Sequence, residues 1–350
     1  MISCYFKEPA AYTIDLKNKV YDQLSIQSRF LECNSLASIE VINKSMKQLD
    51  LFNWISFLWE DSKKSQIIIF NGFYEVELFL LLSFSVFRGN RLKIALDSDT
   101  PLYVPTSFFK RILKKIVLGL LFKNKRVHGL AGGSKSHKEL FSFYGMKEER
   151  IHFLPMVVDV DRFKNTQDKR KTNFTFLYVG RIIDVKNIDH LIRSFKESFH
   201  GTNVRLKIVG SGVLLDELKT FAENEKNIEF TGALFGKDLN RAYRESSVLV
   251  LPSLFEPWGL VINEAMASGL PVISSRFVGA NYDLIEGKGT GLIFDPEKEG
   301  DLKEKMLEMY CDKIQYEKFS KNAYNLMHNY WNYDLYKKQL LLAIEKMKNA

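Results

Sequence analysis

The sequence predicts an α/β protein of two doubly wound domains, each a parallel sheet flanked by helices. Three observations carry this expectation. At 350 residues the chain is long for one hydrophobic core and comfortable for two α/β domains. From Gln66 onward, short apolar runs of the buried parallel-strand kind alternate with helical segments. The alternation stops in the polar run 164–173, which lacks apolar periodicity and reads as an interdomain connection, and it restarts at Phe174.

Taken in order, residues 1–60 are the least legible, with scattered aromatics and weak strand signals only near 39–42. Pro9, Ala10, Ala11 and Tyr12 read either as a loop facing a cleft or as an ordinary surface loop. A strand is predicted over 66–71, a mostly apolar helix over 75–87 and a strand over 92–96, which runs out into Asp97, Ser98, Asp99 and Thr100. Polar residues just past the carboxyl end of a parallel strand are placed to face a ligand crevice. The Asp-x-Asp spacing equally suits a helix cap with solvated acids, or carboxylates holding a divalent ion between phosphates. A strand over 127–133, a helix over 134–144 capped by Ser134 and a strand over 151–156 complete the first half. The second half predicts strands at 174–179, 204–209, 228–231, 247–251, 271–274 and 291–294. Helices at 187–199, 214–224 and 237–246 lie between them, further helices follow Lys298, and an aromatic turn with an amphipathic helix occupies 330–347.

Residues 108–126 combine Phe109, Ile112, Leu113, Ile116, Val117, Leu120 and Leu121 at helical spacing with seven cations and no acid. Such a helix either lies on anionic lipid or packs on the core with a solvated basic face. The formal net charge of +8 points to an anionic partner without choosing among phosphates, lipid and nucleic acid. Cys4, Cys33 and Cys311 are widely spaced and odd in number, so neither a disulfide framework nor a zinc site is expected. The N-terminal stretch lacks a secretory pattern, and the apolar run 76–87 is interrupted by Glu77 and too short to span a bilayer. The expected location is cytoplasmic, with attachment to the inner face of a membrane left open.

The richest stretch is 251–274, LPSLFEPWGLVINEAMASGLPVIS. It reads as strand, tight turn, helix, strand, with Pro257 suited to a first helical turn and Gly269 ending the helix. Glu256 and Glu264, eight positions apart, would then lie roughly 12 Å apart along one helix axis. The amides near Trp258, Gly259 and Leu260 would favour an anion at the Glu256 end. A nucleotide sugar, with hydroxyls at both ends and a diphosphate between, fits that surface. The strand 174–179 ends in Gly180 and Arg181, with Lys186 five residues on, a pair of cations suited to clamping a diphosphate or merely solvated. Gly210-Ser211-Gly212 is loosely phosphate-loop-like but lacks a full fingerprint, and serves either backbone packing or base contact.

Together, Gly180-Arg181, Lys186, Gly210-Ser211-Gly212, Pro252-Ser253, Glu256 and Glu264 closely resemble the family-4 retaining glycosyltransferases. The likeness is strong over 174–294 and looser over 92–163. It implies the GT-B fold, with two Rossmann-like domains facing across a cleft and a C-terminal helix crossing back to the N-terminal domain. Implied boundaries are 1–163 for acceptor binding, 164–330 for the nucleotide sugar and 331–350 for the returning helix, with Trp331 and Tyr333 marking the crossover. The implied activity is retaining transfer of a hexose-type sugar from a UDP- or GDP-sugar to a glycan or lipid-linked acceptor, as in surface polysaccharide assembly. No metal or other cofactor is implied. Arg181 and Lys186 resemble the cation pair that binds the donor diphosphate and supports its departure. Glu256 resembles the acid contacting the transferred sugar, and Glu264 the one binding ribose hydroxyls. Amides around Trp258, Gly259 and Leu260 would hold the outer phosphate, and Thr231, Gly232, Ala233 and Leu234 resemble the base-binding edge.

The sequence departs from the family pattern twice. Pro9, Ala10, Ala11 and Tyr12 stand where many relatives have a glycine-rich loop, and Asp97-Ser98-Asp99 stands where many have a cleft histidine. Tyr12, Asp97, Ser98 and Asp99 are therefore the candidate acceptor-side residues, while His128 reads as a packed strand residue and His137 as a helix-surface one. A GT-B isomerase, a phosphorylase or a non-catalytic sugar-nucleotide-binding scaffold would share much of the pattern. Nucleic-acid binding has only the basic charge behind it.

Overall fold

The structure is a computed structural model describing residues 1–32, 51–73, 75–87, 92–135, 137–164, 173–223 and 225–350. Its chain divides into two units, Met1–Met156 with Tyr333–Ala350, and Val157–Asn332.

In the first unit, strands β1 (Ile2–Phe6), β2 (Gln27–Phe30), β3 (Ile67–Asn71), β4 (Lys93–Ser98), β5 (Val127–Ala131) and β6 (Ile151–Phe153) form one sheet in the order β2-β1-β3-β4-β5-β6. All its pairings are parallel. Helices on both faces explain why β5 is buried at every position and β3 at all but its last, as parallel strands covered on both sides must be. The core gathers Ile68, Phe70, Ile94 and Leu96 from the sheet with Leu118, Leu121 and Phe122 from the helix Phe108–Lys123.

The early strands and the helix Leu51–Lys64 escape the sequence reading for a physical reason. Ser3 and Tyr5 on β1 donate hydrogen bonds to the Asp61 carboxylate on that helix, so polar side chains are buried where an apolar run would be sought. The strand signal near 39–42 lies outside the described residues. The strand β4 extends through Ser98, so Asp97 and Ser98 close the strand rather than follow it. The helix expected over 134–144 is shorter, Lys138–Phe143, with His137 at its N-cap in place of Ser134. His137 is also fully buried rather than on the surface, fitted against Gly132, where a Cβ would lie 3.1 Å from its Nδ1. His128 does pack within its strand, stacked on His152.

The terminal helix Tyr333–Asn349 packs on β6 and near Tyr21, whose hydroxyl shares a 2.8 Å hydrogen bond with that of Tyr336.

In the second unit, β7 (Thr175–Val179), β8 (Arg205–Val209), β9 (Ile228–Gly232), β10 (Val248–Leu251), β11 (Val272–Ser275) and β12 (Gly291–Phe294) form a parallel sheet in the order β12-β11-β10-β7-β8-β9. Val157 to Phe163 group with this unit, not with the first. The short helix Val160–Phe163 packs on the helices Gly236–Glu245 and Leu260–Ala267, and Phe163 meets Tyr243 edge-on. Among the described residues no helix is long and apolar enough to cross a membrane.

Candidate functional site

Strand order determines where a ligand can sit. In the second unit the order reverses between β7 and β10, and crevices of doubly wound sheets open beyond the carboxyl ends of the strands at such a point. Residues 180–187 leave β7 there, and 252–259 leave β10. The two segments are stitched together, Leu254 N–H donating to Val185 C=O at 2.8 Å and the Asn187 side-chain amide to Pro252 C=O at 3.4 Å. Lys186, at the end of the 3-10 turn Asp184–Lys186, is buried and forms an ion pair with Glu256. The two residues are 70 apart in sequence, and the geometry brings them into direct contact.

Glu256 is held by backbone on both sides: its N–H donates to Phe277 C=O and its C=O accepts from Gly279 N–H. Gly279 permits this because a Cβ there would lie 1.9 Å from Pro257 C=O. Glu256 and Pro257 thus lie outside the helix, which spans only Leu260–Ala267 behind the N-cap Gly259 at φ 93°. The expectation of two glutamates along one axis, with Pro257 in the first turn, is corrected accordingly. Left-handed Gly259 turns the chain, so the motif approaches from a bridge segment before it becomes helical. Trp258 is buried, its indole N–H donating to Asn263 and its ring stacked on Trp331 at 5.9 Å. Its contribution to a ligand surface is therefore main chain only. In the first turn Ile262 N–H donates to Gly259 C=O at 2.8 Å, which leaves the amides of Leu260 and Val261 as the helix-start donors without an intrahelical acceptor.

Arg181 is exposed and makes no ion pair among the described residues. Its carbonyl accepts from the Tyr178 hydroxyl at 2.8 Å. Burial raises the Tyr178 phenol, Glu256 adds to the rise, and Arg181 opposes it. Those three groups therefore share one electrostatic neighbourhood.

Glu264 occupies a different environment. It is half-buried on the helix, accepts from the Tyr243 hydroxyl at 2.6 Å, and its pKa is pushed up to about 7 by burial, against the pull of that bond and of Arg162. Tyr243 and Arg162 have no site role in the sequence reading, because nothing in their spacing links them to a glutamate on a later helix.

Gly210 N–H donates to Gly232 C=O at 2.9 Å, and a Cβ on Gly210 would sit 1.8 Å from Gly180 C=O. Gly180, Gly210 and Gly212 thus let the loops after β7 and β8 lie backbone against backbone, Ile182 N–H reaching Ser211 C=O. Thr231 and Gly232 end the edge strand β9, followed by Ala233 and Leu234, with Gly232 at φ 74°.

In the first unit the order reverses between β1 and β3, and the candidate acceptor residues gather near that end. Asp97 ends opposite Asn71 in the β3–β4 register and accepts from its side-chain amide at 3.3 Å. Burial pushes the Asp97 carboxyl up to about 7, the Asn71 bond opposing and nearby Asp99 adding. Tyr12, in the helix Ala11–Leu16, has its phenol raised by burial and by Asp99 and Asp97, so it faces the same acids. Ser98 is buried and accepts from Thr100 N–H at 3.1 Å, a turn-holding role that leaves Asp99 exposed. Asn71 was missed; its only signal is a polar residue closing an apolar strand.

Comparison with known proteins fits this arrangement. Residues 159–326 match the family model described as glycosyl transferases group 1. The matched segment lies within the second unit, Val157–Asn332. The chain's relatives include an uncharacterized glycosyltransferase of Methanocaldococcus jannaschii, 33% identical over 153 residues, 43% of this chain and 36% of that protein. Mannosylfructose-phosphate synthase of Agrobacterium fabrum is 27% identical over 227 residues, 59% of this chain and 50% of that one. The chain spans about half or less of the curated relatives it matches. Over the whole chain the structure is similar to sucrose-phosphate synthase from Thermosynechococcus elongatus, with TM-score 0.73, 16% identity and 99% of both chains covered. Anabaena HepE, solved with UDP, gives TM-score 0.75 at 15% identity, covering 98% of each. The two six-stranded parallel sheets thus match the two Rossmann-like domains of the GT-B fold.

Proposed function

We propose that the protein is a retaining glycosyltransferase that moves a hexose-type sugar from a UDP- or GDP-sugar to a glycan or lipid-linked acceptor, in surface polysaccharide assembly at the cytoplasmic face of a membrane. The observation that carries this reading is the Lys186–Glu256 pair at the β7/β10 switch point, with exposed Arg181 beside it. Lys186 and Glu256 neutralise each other in their ion pair, so Arg181 and the backbone amides at Leu260 supply the net attraction for a diphosphate. With the donor in place, Glu256 contacts the transferred sugar while Lys186 turns to the phosphates. Glu264, steadied by Tyr243, accepts from the ribose hydroxyls.

In front-face transfer the leaving diphosphate takes the acceptor's proton, and no base or metal is required. The protein's work is orientation and stabilisation of the negative charge developing on the diphosphate. Names among the relatives support a nucleotide-sugar donor: sucrose synthase and sulfoquinovosyl transferase in sequence, and HepE bound to UDP-glucose in structure.

A thermal-shift screen of UDP, GDP and their sugars tests the reading. A selective ligand at a hundredfold excess over Kd stabilises by about 2.7 kcal/mol. The expected result is a shift with one base only, lost in Arg181→Ala. No shift with any nucleotide diphosphate or its sugar, together with no donor turnover, overturns it.

A further inference from the structure

The helix Phe108–Lys123 has two apolar faces, and among the described residues only one of them is packed. At about 100° per residue, Leu118, Leu121 and Phe122 fall on one side, and all three are buried in the core of the first unit. Phe109, Ile112, Leu113, Ile116 and Leu120 form a continuous stripe on the opposite side. They are exposed: Phe109 82%, Leu113 63% and Leu120 74%. Phe108, Tyr103 and Val104 are also exposed beside the amino end of the stripe. A soluble surface rarely presents so many large apolar side chains in one row unless the row meets something.

The charges identify what it meets. Arg111 and Lys114 fall on the packed side and are committed to the preceding loop, donating to the carbonyls of Pro105, Thr106 and Tyr103. Lys110 and Lys115 border the stripe on either flank and Lys123 stands at its far end, none paired with an acid among the described residues. An apolar row edged by unpaired ammonium groups matches an anionic lipid surface, with acyl chains receiving the rings and headgroups the cations. A protein groove would favour a neutral or mixed rim.

We infer that this outer face seats the first unit on an anionic bilayer, with Phe109, Leu113, Ile116 and Leu120 entering the acyl boundary and Lys110 and Lys115 at headgroup level. The inference deepens the lipid-linked acceptor reading and rests on it for its purpose, while the surface itself belongs to the first unit alone.

The test is co-sedimentation of the full chain with vesicles of phosphatidylcholine alone and with added phosphatidylglycerol. Binding is expected only to the anionic vesicles, weakened but not abolished by salt. The double variant Phe109→Asp/Leu113→Asp lowers partitioning about tenfold or more, and Lys110→Glu/Lys115→Glu lowers it and flattens the salt dependence. Both sites are exposed, so both variants keep the parent melting temperature and any nucleotide-induced shift. Absence of binding to anionic vesicles at low salt overturns the inference, as does an unchanged Phe109→Asp/Leu113→Asp variant. Self-association without vesicles that the same aspartates abolish overturns it in favour of a second copy of the chain. Vesicle binding without any nucleotide-sugar effect would instead remove the transferase reading and leave the surface standing.

Discussion

The two units share a six-stranded parallel sheet but differ in the charge they hold where strand order reverses. At β7/β10 of the second unit stand Lys186, Glu256 and Arg181, two cations against one acid. Near β1/β3 of the first unit stand Asp97, Asp99, Asn71 and Tyr12, two acids with a phenol and an amide. The first group is suited by charge to an anion such as phosphate, and the second to hydroxyl donors. Both groups lie at carboxyl ends of parallel strands and differ in side-chain chemistry, so the separate donor and acceptor ends we propose could not be assigned from sheet topology alone.

Removing the cations breaks that comparison most sharply. Lys186→Ala leaves Glu256 half-buried beside the position of its lost partner, and should lower kcat/KM about a thousandfold, a barrier increase of roughly 4 kcal/mol. Arg181→Ala, at an exposed position, should cost about a hundredfold with an unchanged melting temperature. Steady-state kinetics beside thermal melts check both, and near-parental turnover in either variant would remove that residue from the clamp.

The proposed acceptor end should respond more gently. Asp97→Asn is expected to lower transfer about tenfold, a charged hydrogen bond's share of roughly 1.5 kcal/mol. The nucleotide-induced melting shift should persist, and its loss would show that the two ends are not chemically separate. A purely structural substitution follows. In Gly210→Ala the new Cβ would collide with Gly180 C=O, so the urea midpoint should fall by about 1–3 kcal/mol of stability.

The smallest effect is common to both units. Burial lifts Asp97 from 3.8 and Glu264 from 4.5, each to about 7. Between those values the folded chain holds protons that the unfolded chain has released, so stability falls as pH rises toward and through 7. Asp97→Asn and Glu264→Gln should each flatten that fall in melting temperature. Curves parallel to the parent's would contradict the assignment.

Much of this was legible in the sequence where one strand or one helix carries the signal. β7, β10 and β12 show apolar runs, and Arg181, Lys186 and Glu256 follow such runs within a few residues. What escaped depends on partners distant in the chain. Ser3 and Tyr5 hide β1 because Asp61 satisfies them, and Tyr243 was invisible because Glu264 is reached through folding, not spacing. The placement of Glu256 outside the helix follows from Gly279 and Phe277, which no local periodicity connects to it.

The Trp258–Trp331 stack also gives the molecule an optical probe. The rings lie 5.9 Å apart at 14°, close enough for their transitions to couple, and the other two tryptophans, Trp54 and Trp59, belong to the first unit. Trp258 sits within the glutamate motif, while Trp331 lies two residues before the chain passes to the terminal helix. A near-ultraviolet circular dichroism couplet that disappears in Trp331→Phe would identify this pair. Its change on adding a nucleotide sugar would report occupancy of the donor end without any label.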